Sequence, residues 1–278
     1  MNYATLDASP SFTPPAARIK ARANVLGVGV HAVDLCSAAD IIENAVRDGT
    51  KGYVCVTGVH GVMEAQRNPE FRAILNGALL VTPDGMPTVW LGRNQGHPKM
   101  GRVFGPDLML ELCSRSAGKG TRHFLYGGNP GIADELANCL HQKFPGLAIV
   151  GTFTPPFRPL QPAEQLALES LMAATLPDIV WVGLSTPKQE QFMAANLGRL
   201  SCKVMVGVGA AFDIHTGHVK DAPQWIKGAG LQWAHRLGQE PRRLWKRYLF
   251  NNSEFLFRIA LQLSGVKQYH LTDPQTGS

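Results

Sequence analysis

The chain has 278 residues, of which 45% are hydrophobic, and its formal net charge is +6. This length and hydrophobic content are sufficient for a full core, in one large α/β domain or in two small ones. The longest apolar runs, such as residues 204–212, are too short and too rich in glycine to span a bilayer, which excludes a transmembrane helix.

The N-terminal segment and the cysteines indicate a cytoplasmic protein. Residues 1–22 contain no charged stretch followed by an apolar one, and their composition predicts a disordered leader without a secretory role. The five cysteines are an odd number without C-x-x-C spacing, and most lie in apolar runs. We therefore expect reduced, buried thiols.

From residue 24 onward, short apolar runs alternate with segments of helical periodicity, and Ser37 or Asp40 is expected to cap the first helix. Apolar strands that alternate with helices predict a parallel sheet covered on both faces. The predicted fold class is therefore α/β: a Rossmann-like, doubly wound, mostly parallel sheet over residues 23–219, followed by a basic helical C-terminal appendage. The expected strands lie near residues 24–35, 53–57, 78–81, 123–126, 148–153, 179–183 and 204–208, and the expected helices near 37–48, 62–75, 106–117, 132–144, 163–175 and 187–197.

Distinctive short motifs follow five of the expected strands. In doubly wound sheets, ligands bind at the carboxyl ends of the strands. Glycine-containing turns at three of these ends favour a nucleotide-type ligand, although none of them is a G-x-G-x-x-G or Walker A sequence. The motifs are Thr57-Gly58, Pro83-Asp84-Gly85, Tyr126-Gly127-Gly128-Asn129, the segment 183–189 and the segment 207–213.

Asp84 is the central candidate because it is the single acid on a Pro/Gly turn after an apolar run. A carboxylate presented in this way can act as a general base toward a ligand. Pro-Asp-Gly is also a favourable β-turn sequence for purely conformational reasons, so the turn alone favours a structural role.

Four further polar residues lie near these strand ends. Arg102 can neutralise a phosphate or form a surface salt bridge, and Gln189 can reach a ligand with both a donor and an acceptor. Asp213 can accept hydrogen bonds from a base or ribose, or bond to its own backbone. For Glu190, which begins a predicted helix, we expect only a favourable interaction with the helix dipole.

The sequence predicts neither a metal site nor a cofactor. The nine histidines show no H-x-x-x-H or H-x-E spacing, and no D-x-D pair is present to hold a cation against a nucleotide diphosphate. A bound diphosphate would therefore be neutralised by cationic side chains and backbone amides.

The C-terminal region carries most of the net charge, with nine Lys or Arg residues against four acids from Lys220 onward. Aromatic and aliphatic residues recur there at helical spacing between basic ones, which predicts a basic amphipathic appendage at residues 220–265 on an anionic membrane surface. The alternative is a helix packed on the domain with a solvated basic face. Residues 266–278 are expected to be a disordered tail.

The longer motifs resemble, in order and spacing, those of the WecG/TagA/CpsF glycosyltransferases from about Asn24 to Leu249. They include Pro83-Asp84-Gly85, Gly105-Pro106-Asp107-Leu108, Pro187-Lys188-Gln189-Glu190, Gly209-Ala210-Ala211-Phe212-Asp213 and Glu240-Pro241-Arg242-Arg243.

The resemblance implies an inverting, metal-independent transfer of a sugar from a UDP-sugar to a polyprenyl-diphosphate-linked saccharide. It places a peripheral enzyme on the cytoplasmic face of the bacterial inner membrane, in the synthesis of teichoic acid, common antigen or exopolysaccharide. Asp84 matches the proposed base, and Thr57 and Arg102 match the pocket that receives the acceptor. Residues matching the donor site are Gly127, Gln189, Gly209 and Asp213, and those matching the lipid-diphosphate and membrane site are Arg236, Arg242, Arg243 and Arg247.

Two other functions are compatible with parts of the sequence. A nucleotide-dependent α/β enzyme without a lipid substrate is disfavoured because G-x-G-x-x-G and a nucleophile elbow are both missing. A nucleic-acid-binding protein is suggested only by the basic aromatic tail, and the resemblance implies no nucleic-acid partner. The sequence leaves open whether the donor sugar is N-acetylmannosamine, its uronic acid or glucose, and whether the chain forms a homo-oligomer.

Overall fold

The computed structural model describes residues 21–223, 226, 232–239 and 241–271. Six parallel strands form its main sheet, in the spatial order β4-β3-β8-β7-β5-β6. This arrangement confirms the predicted doubly wound α/β fold, because apolar strands that are buried on both faces require helices on each side. The strands are β3 (Gly52–Thr57), β4 (Leu80–Pro83), β5 (Arg122–Gly127), β6 (Ala148–Phe153), β7 (Ile179–Gly183) and β8 (Val204–Gly207).

The first expected strand is in fact a separate β-hairpin of β1 (Arg22–Val25) and β2 (Val28–His31). Its two-residue turn, Leu26 and Gly27, has positive φ angles of 53° and 83°, as tight antiparallel hairpins require. His31 joins the hairpin to the main sheet, because its Nδ1 accepts a hydrogen bond from the Val81 N–H at 2.9 Å. Burial lowers the pKa of His31 to about 4, so the imidazole is neutral and can accept this bond.

Helices flank the sheet on both faces. They are α1 (Leu35–Arg47), α2 (Val59–Arg67), α3 (Pro69–Gly77), α4 (Met86–Asn94), α5 (Gly105–Ser116), α6 (Ile132–Lys143), α7 (Pro162–Thr175), α8 (Lys188–Asn196), α9 (Ala211–His215), α10 (Gln232–Gln239) and α11 (Pro241–Leu263).

Two helix predictions were wrong in detail, and one helix was missed. The cap of α1 is Asp34, in a capping box with Ser37, so the helix begins earlier than either expected cap. The single helix expected at 62–75 is divided at Asn68, whose side chain caps α3. Helix α4 was not predicted, because the prolines around Asp84 indicated a turn, whereas Pro87 is tolerated in the first turn of a helix.

Two hydrophobic clusters cover the two faces of the sheet. One contains side chains from α2, α3, α7 and α8, and the other contains side chains from α1, α5, α6 and α9. All five cysteines are free; Cys55, Cys113 and Cys202 are buried as expected, whereas Cys36 is exposed.

The second half of α11 packs on the domain. Phe255 is 3% exposed and belongs to the first cluster, and Asn251 contacts His60 of α2 with 3.1 Å between Nδ2 and Nδ1. Gln262 binds the hairpin, since its Oε1 accepts from the Leu26 N–H at 2.9 Å and its Nε2 donates to the Asn24 carbonyl at 2.8 Å. Helix α11 thus contacts the domain at two positions, near Phe255 and at Gln262.

The ends of the chain are only partly described. Asn24 also donates a hydrogen bond to the carbonyl of Tyr269, so the segment after α11 lies against the hairpin up to that point. Of the leader expected at residues 1–22 and the tail expected at 266–278, residues 1–20 and 272–278 lie outside the described residues. Within the described part of the chain, no helix is both long enough and apolar enough to cross a membrane.

Candidate active site

A cavity of about 1440 Å³ lies at the carboxyl ends of the parallel strands, and we call it the strand-end cavity. Its lining includes residues that follow β3, β4, β5, β7 and β8, so the five strand ends singled out in the sequence converge on one site. The loop after β6 and part of α11 complete its wall.

The backbone around Asp84 holds its carboxylate at this cavity. The Asp84 N–H donates to the Thr57 carbonyl at 3.0 Å, which extends the pairing of β3 and β4 by one step. Gly58 faces this turn closely, since a Cβ added there would lie 2.5 Å from the Asp84 carbonyl oxygen. The next residue, Gly85, has a φ of 108°, which side chains disfavour. Both glycines therefore fix the position of Asp84.

Arg102 lies beside Asp84 in the cavity wall. Its Nε is 3.9 Å from the Asp84 Oδ1, a separation that fits an ion pair but exceeds a hydrogen bond. Its guanidinium lies 4.5 Å from the centre of the Phe104 ring, which holds the cation at the surface of the cavity. The Arg102 side chain is 13% exposed and that of Asp84 is 34% exposed, so a ligand can reach the carboxylate more easily.

Thr57 ends β3 next to this pair. It is buried, and its Oγ1 finds no hydrogen-bond partner among the described residues. Buried hydroxyls are normally satisfied, so an unsatisfied one in a cavity wall indicates a partner such as water or ligand. The structure thus brings Thr57, Asp84 and Arg102 together, as the resemblance to the glycosyltransferase family implied.

Gln189 connects two other strand ends. Its Oε1 accepts a hydrogen bond from the Gly209 N–H at 3.0 Å, and its Nε2 donates to the Glu190 Oε1 at 2.9 Å. The side chain is 3% exposed, so it spans from the start of α8 to the turn after β8 within the wall of the cavity.

The expectation for Glu190 was incomplete. Glu190 does lie in the first turn of α8, but its side chain is buried rather than solvated, and it lines the strand-end cavity. Burial raises the pKa of its carboxyl group above the ordinary value. The helix-capping signal in the sequence could not reveal this, because it carries no information about which face of α8 is covered.

The remaining predicted donor residues take different positions. Asp213 lies in the first turn of α9 and lines the cavity. Gly127 is not in the lining, whereas its neighbours Gly128 and Asn129 are. A Cβ added at Gly127 would lie 2.5 Å from the Gly183 carbonyl oxygen, so this glycine permits the close approach of β5 and β7.

Comparison with known proteins identifies the family. The model of the "Glycosyl transferase WecG/TagA/CpsF family" matches residues 23–269 of the chain. The chain belongs to this family. It is therefore a glycosyltransferase, and the strand-end cavity is the candidate active site of the enzyme.

Two relatives are named as N-acetylglucosaminyldiphosphoundecaprenol N-acetyl-beta-D-mannosaminyltransferases. The protein from Bacillus spizizenii is 32% identical over 217 residues, which cover 78% of this chain and 82% of the relative. The protein from Bacillus subtilis (strain 168) is 28% identical over 217 residues, with the same shares of the two chains.

Several residues in the wall of this glycosyltransferase site were not predicted. Thr186 binds the carboxyl group of Glu190, and the proline-rich loop after β6 lines the cavity with Phe157, which is 86% exposed. Phe255 and Leu256 of α11 also line it. The proline run was visible in the sequence as a loop, whereas the approach of α11 depends on tertiary contacts that no local pattern encodes.

The arginines expected to bind lipid diphosphate are only partly described. Arg242 is exposed in the first turn of α11. The side chains of Arg236, Arg243 and Arg247 lie outside the described residues. Among the side chains that are described, no three His, Cys, Asp or Glu residues are grouped in a way that could hold a metal ion.

Proposed function

We propose that this glycosyltransferase is inverting and metal-independent, and that it transfers a sugar from a UDP-sugar to a polyprenyl-diphosphate-linked saccharide. The sugar is of the N-acetylmannosamine type or is glucose. The enzyme is proposed to act at the cytoplasmic face of the bacterial inner membrane, in the synthesis of a cell-surface polysaccharide.

One observation carries the proposal: a carboxylate and a guanidinium, 3.9 Å apart, share the wall of a cavity formed by the parallel strand ends. The relatives named above act on a diphosphoundecaprenol-linked sugar, which supports an acceptor of the same class here. A negatively charged diphosphate favours a site with fixed cations, and Arg102 and Lys188 both line the cavity.

The proposed reaction assigns the proton transfer to Asp84. Its carboxylate accepts the proton of the acceptor hydroxyl while the hydroxyl oxygen forms a bond to the anomeric carbon. The bond from that carbon to the UDP oxygen breaks, and its electron pair leaves with UDP. Attack from the side opposite the leaving group inverts the anomeric configuration.

The donor is assigned to the part of the cavity that is formed by the ends of β5, β7 and β8. Gln189, Gly209 and Asp213 lie at the ends of β7 and β8, and Gly128 and Asn129 lie at the end of β5. Nucleotides bind in such crevices in doubly wound sheets, close to the amino ends of the following helices. Thr57, at the end of β3, and Arg102, in the loop before α5, are then left for the acceptor and the reacting diphosphate.

The outward face of α11 supports docking on a membrane. Four of its large apolar side chains are each more than half exposed, whereas Phe255 of the same helix is buried. We call these four residues the outward row: Phe250, Leu256, Phe257 and Leu263. Leu256 also lines the cavity, so a lipid-linked acceptor held at this surface is next to the site.

A transfer assay tests the function. The purified protein is incubated with undecaprenyl-diphosphate N-acetylglucosamine and with UDP-N-acetylmannosamine, its uronic acid or UDP-glucose in turn. We expect one donor to give a lengthened lipid-linked saccharide with inverted anomeric configuration, with the same rate in EDTA. No product with any UDP-sugar would contradict the proposal, and loss of turnover in EDTA that magnesium restores would contradict metal independence.

The other functions considered gain no support from the described structure. Family membership favours transfer over hydrolysis or oxidation, and the C-terminal helix that suggested nucleic-acid binding presents an apolar row to solvent.

A further inference from the structure

The buried carboxyl group of Glu190 belongs to a chain of hydrogen bonds that the proposed reaction does not use. Its Oε1 accepts from the Thr186 Oγ1 and from the Gln189 Nε2, both at 2.9 Å. Gln189 in turn accepts from the Gly209 N–H. We call Thr186, Glu190, Gln189 and Gly209 the Glu190 relay.

The relay joins the loop after β7 to the turn after β8. These strands are neighbours in the sheet, and both loops line the strand-end cavity. The packing leaves little freedom, since a Cβ added at Gly207 would lie 3.1 Å from the Gln189 Cδ. The relay therefore fixes the part of the cavity assigned to the donor.

The surroundings of Glu190 favour its neutral form. The residue is 1% exposed, and its two hydrogen-bond donors, a hydroxyl and an amide, are both uncharged. No Lys or Arg in the described part of the chain forms an ion pair with it. An ionised carboxylate in such a place is costly, because burial removes its hydration without supplying a counter-charge.

The second oxygen has a distinct role. Oε2 is buried and lacks a hydrogen-bond partner within the described residues, so Oε1 receives both bonds and Oε2 is left to carry the proton. Cys55 of β3 is a titratable neighbour of Glu190, and burial is the main cause that raises the pKa of its thiol well above the ordinary value. The thiol is therefore uncharged near neutral pH and supplies no charge beside Glu190.

We propose that Glu190 is a positioning residue for the donor site, which acts as a neutral carboxylic acid to hold Gln189 and, through it, the turn at Gly209. This inference rests on the proposed function, in which the strand-end cavity takes the UDP part of the donor. Glu190 does not touch the reacting atoms; it determines the shape of the surface that receives the nucleotide.

Two variants and a matched control test this role through UDP binding, measured by isothermal titration calorimetry. Glu190→Ala removes the relay, and we expect the Kd for UDP to rise at least about tenfold. Glu190→Gln keeps a neutral acceptor, so its Kd should stay within about threefold of the wild type. Glu70→Ala removes an exposed acid from the first turn of α3 and should leave the Kd unchanged.

Hydrogen exchange of the ligand-free protein tests the relay even if UDP is not the donor nucleotide. Glu190→Ala should speed exchange of the segment 207–213, which contains the Gly209 N–H, while Glu190→Gln should not. If Glu190→Ala fails to fold, Gln189→Met, which removes the acceptor of the Gly209 N–H, should speed exchange of the same segment.

The possible outcomes distinguish the assignment of UDP to this site from the positioning role of Glu190. Wild-type protein that does not bind UDP, but whose segment 207–213 exchanges faster in Glu190→Ala, would contradict the UDP assignment and support the relay. Equal UDP binding and equal exchange in wild type and Glu190→Ala would overturn the relay. A Glu190→Gln variant as impaired as Glu190→Ala would overturn the neutral form.

Discussion

At the scale of single residues, two of the carboxyl groups in the wall of the strand-end cavity have opposite surroundings. Asp84 is accessible and lies beside a guanidinium, whereas Glu190 is buried among uncharged groups. A nearby cation favours the ionised form of a carboxyl group, which is the form that can accept a proton, and a buried neutral carboxylic acid is suited to hold hydrogen bonds. The two carboxyl groups are therefore suited to different roles.

The buried state of Glu190 predicts a dependence of stability on pH. Because its pKa is raised above 4.5, the folded state binds more protons than the unfolded state between 4.5 and the raised value. The free energy of unfolding contributed by this group therefore falls as pH rises through that window. Glu190→Gln removes the titrating group. The free energy of unfolding of this variant, measured with urea, should therefore rise relative to that of the wild type from pH 4 to pH 8.

The coupled thiol does not disturb this test, since the raised pKa of Cys55 keeps it protonated throughout the range. Glu70→Gln serves as the control, because this acid is exposed. A constant difference between wild type and Glu190→Gln across the range would show that Glu190 is ionised in the folded protein.

At the scale of secondary-structure elements, α11 has two faces with separate roles. Phe255 enters the core cluster, while Phe257, two residues later, is 65% exposed. Phe255→Ala should lower the free energy of unfolding by about 3–5 kcal/mol through lost burial and a cavity. Phe257→Ala in the same helix should change it by less than about 0.5 kcal/mol. Urea unfolding measures both, and equal effects would mean that the helix is not docked as described.

The outward row of α11 leads to a prediction about membranes. Phe250→Ser together with Phe257→Ser should reduce binding to vesicles of phosphatidylglycerol and phosphatidylethanolamine by at least about tenfold, because two large apolar groups no longer enter the lipid. Leu166→Ser, on the exposed side of α7, is the matched control. Sedimentation with vesicles that is the same for all three proteins would contradict docking through this face.

The elements also show why the sequence predicted most of the sheet. Strands such as β6 and β7 are mostly apolar runs bounded by turn residues, and both were predicted with the observed limits. The hairpin of β1 and β2 was missed because its turn uses Leu26 and Gly27, not a typical Asn-Gly pair. Helix α4 was missed because prolines mark turns and helix starts equally well.

At the scale of the whole molecule, the site is assembled from parts that are distant in the chain. The sequence order of motifs located Asp84, Arg102 and Gln189 in one cavity, because parallel strands place their carboxyl ends along one edge. The contact between His60 and Asn251, 191 positions apart, and the burial of Glu190 follow from tertiary packing. Local periodicity reports which face of a helix is apolar, but not which element covers it.

This arrangement meets three requirements of the proposed transfer to a lipid-linked acceptor. The ends of β5, β7 and β8 form a crevice suited to a nucleotide, the end of β4 presents Asp84 beside Arg102, and α11 adds an apolar surface at the rim. Asp84 lies where the proposed donor and acceptor would meet, so the account depends on this residue more than on any other.

The most direct test is the rate of sugar transfer by Asp84→Asn, with UDP affinity measured in the same preparation. Removing a general base typically costs about 10²–10⁴-fold in rate, so kcat should fall by this factor while the Kd for UDP stays within about threefold. Asp48→Asn, an exposed acid at the end of α1, should keep full activity. Turnover by Asp84→Asn at the wild-type rate would contradict the assignment of Asp84 as the base.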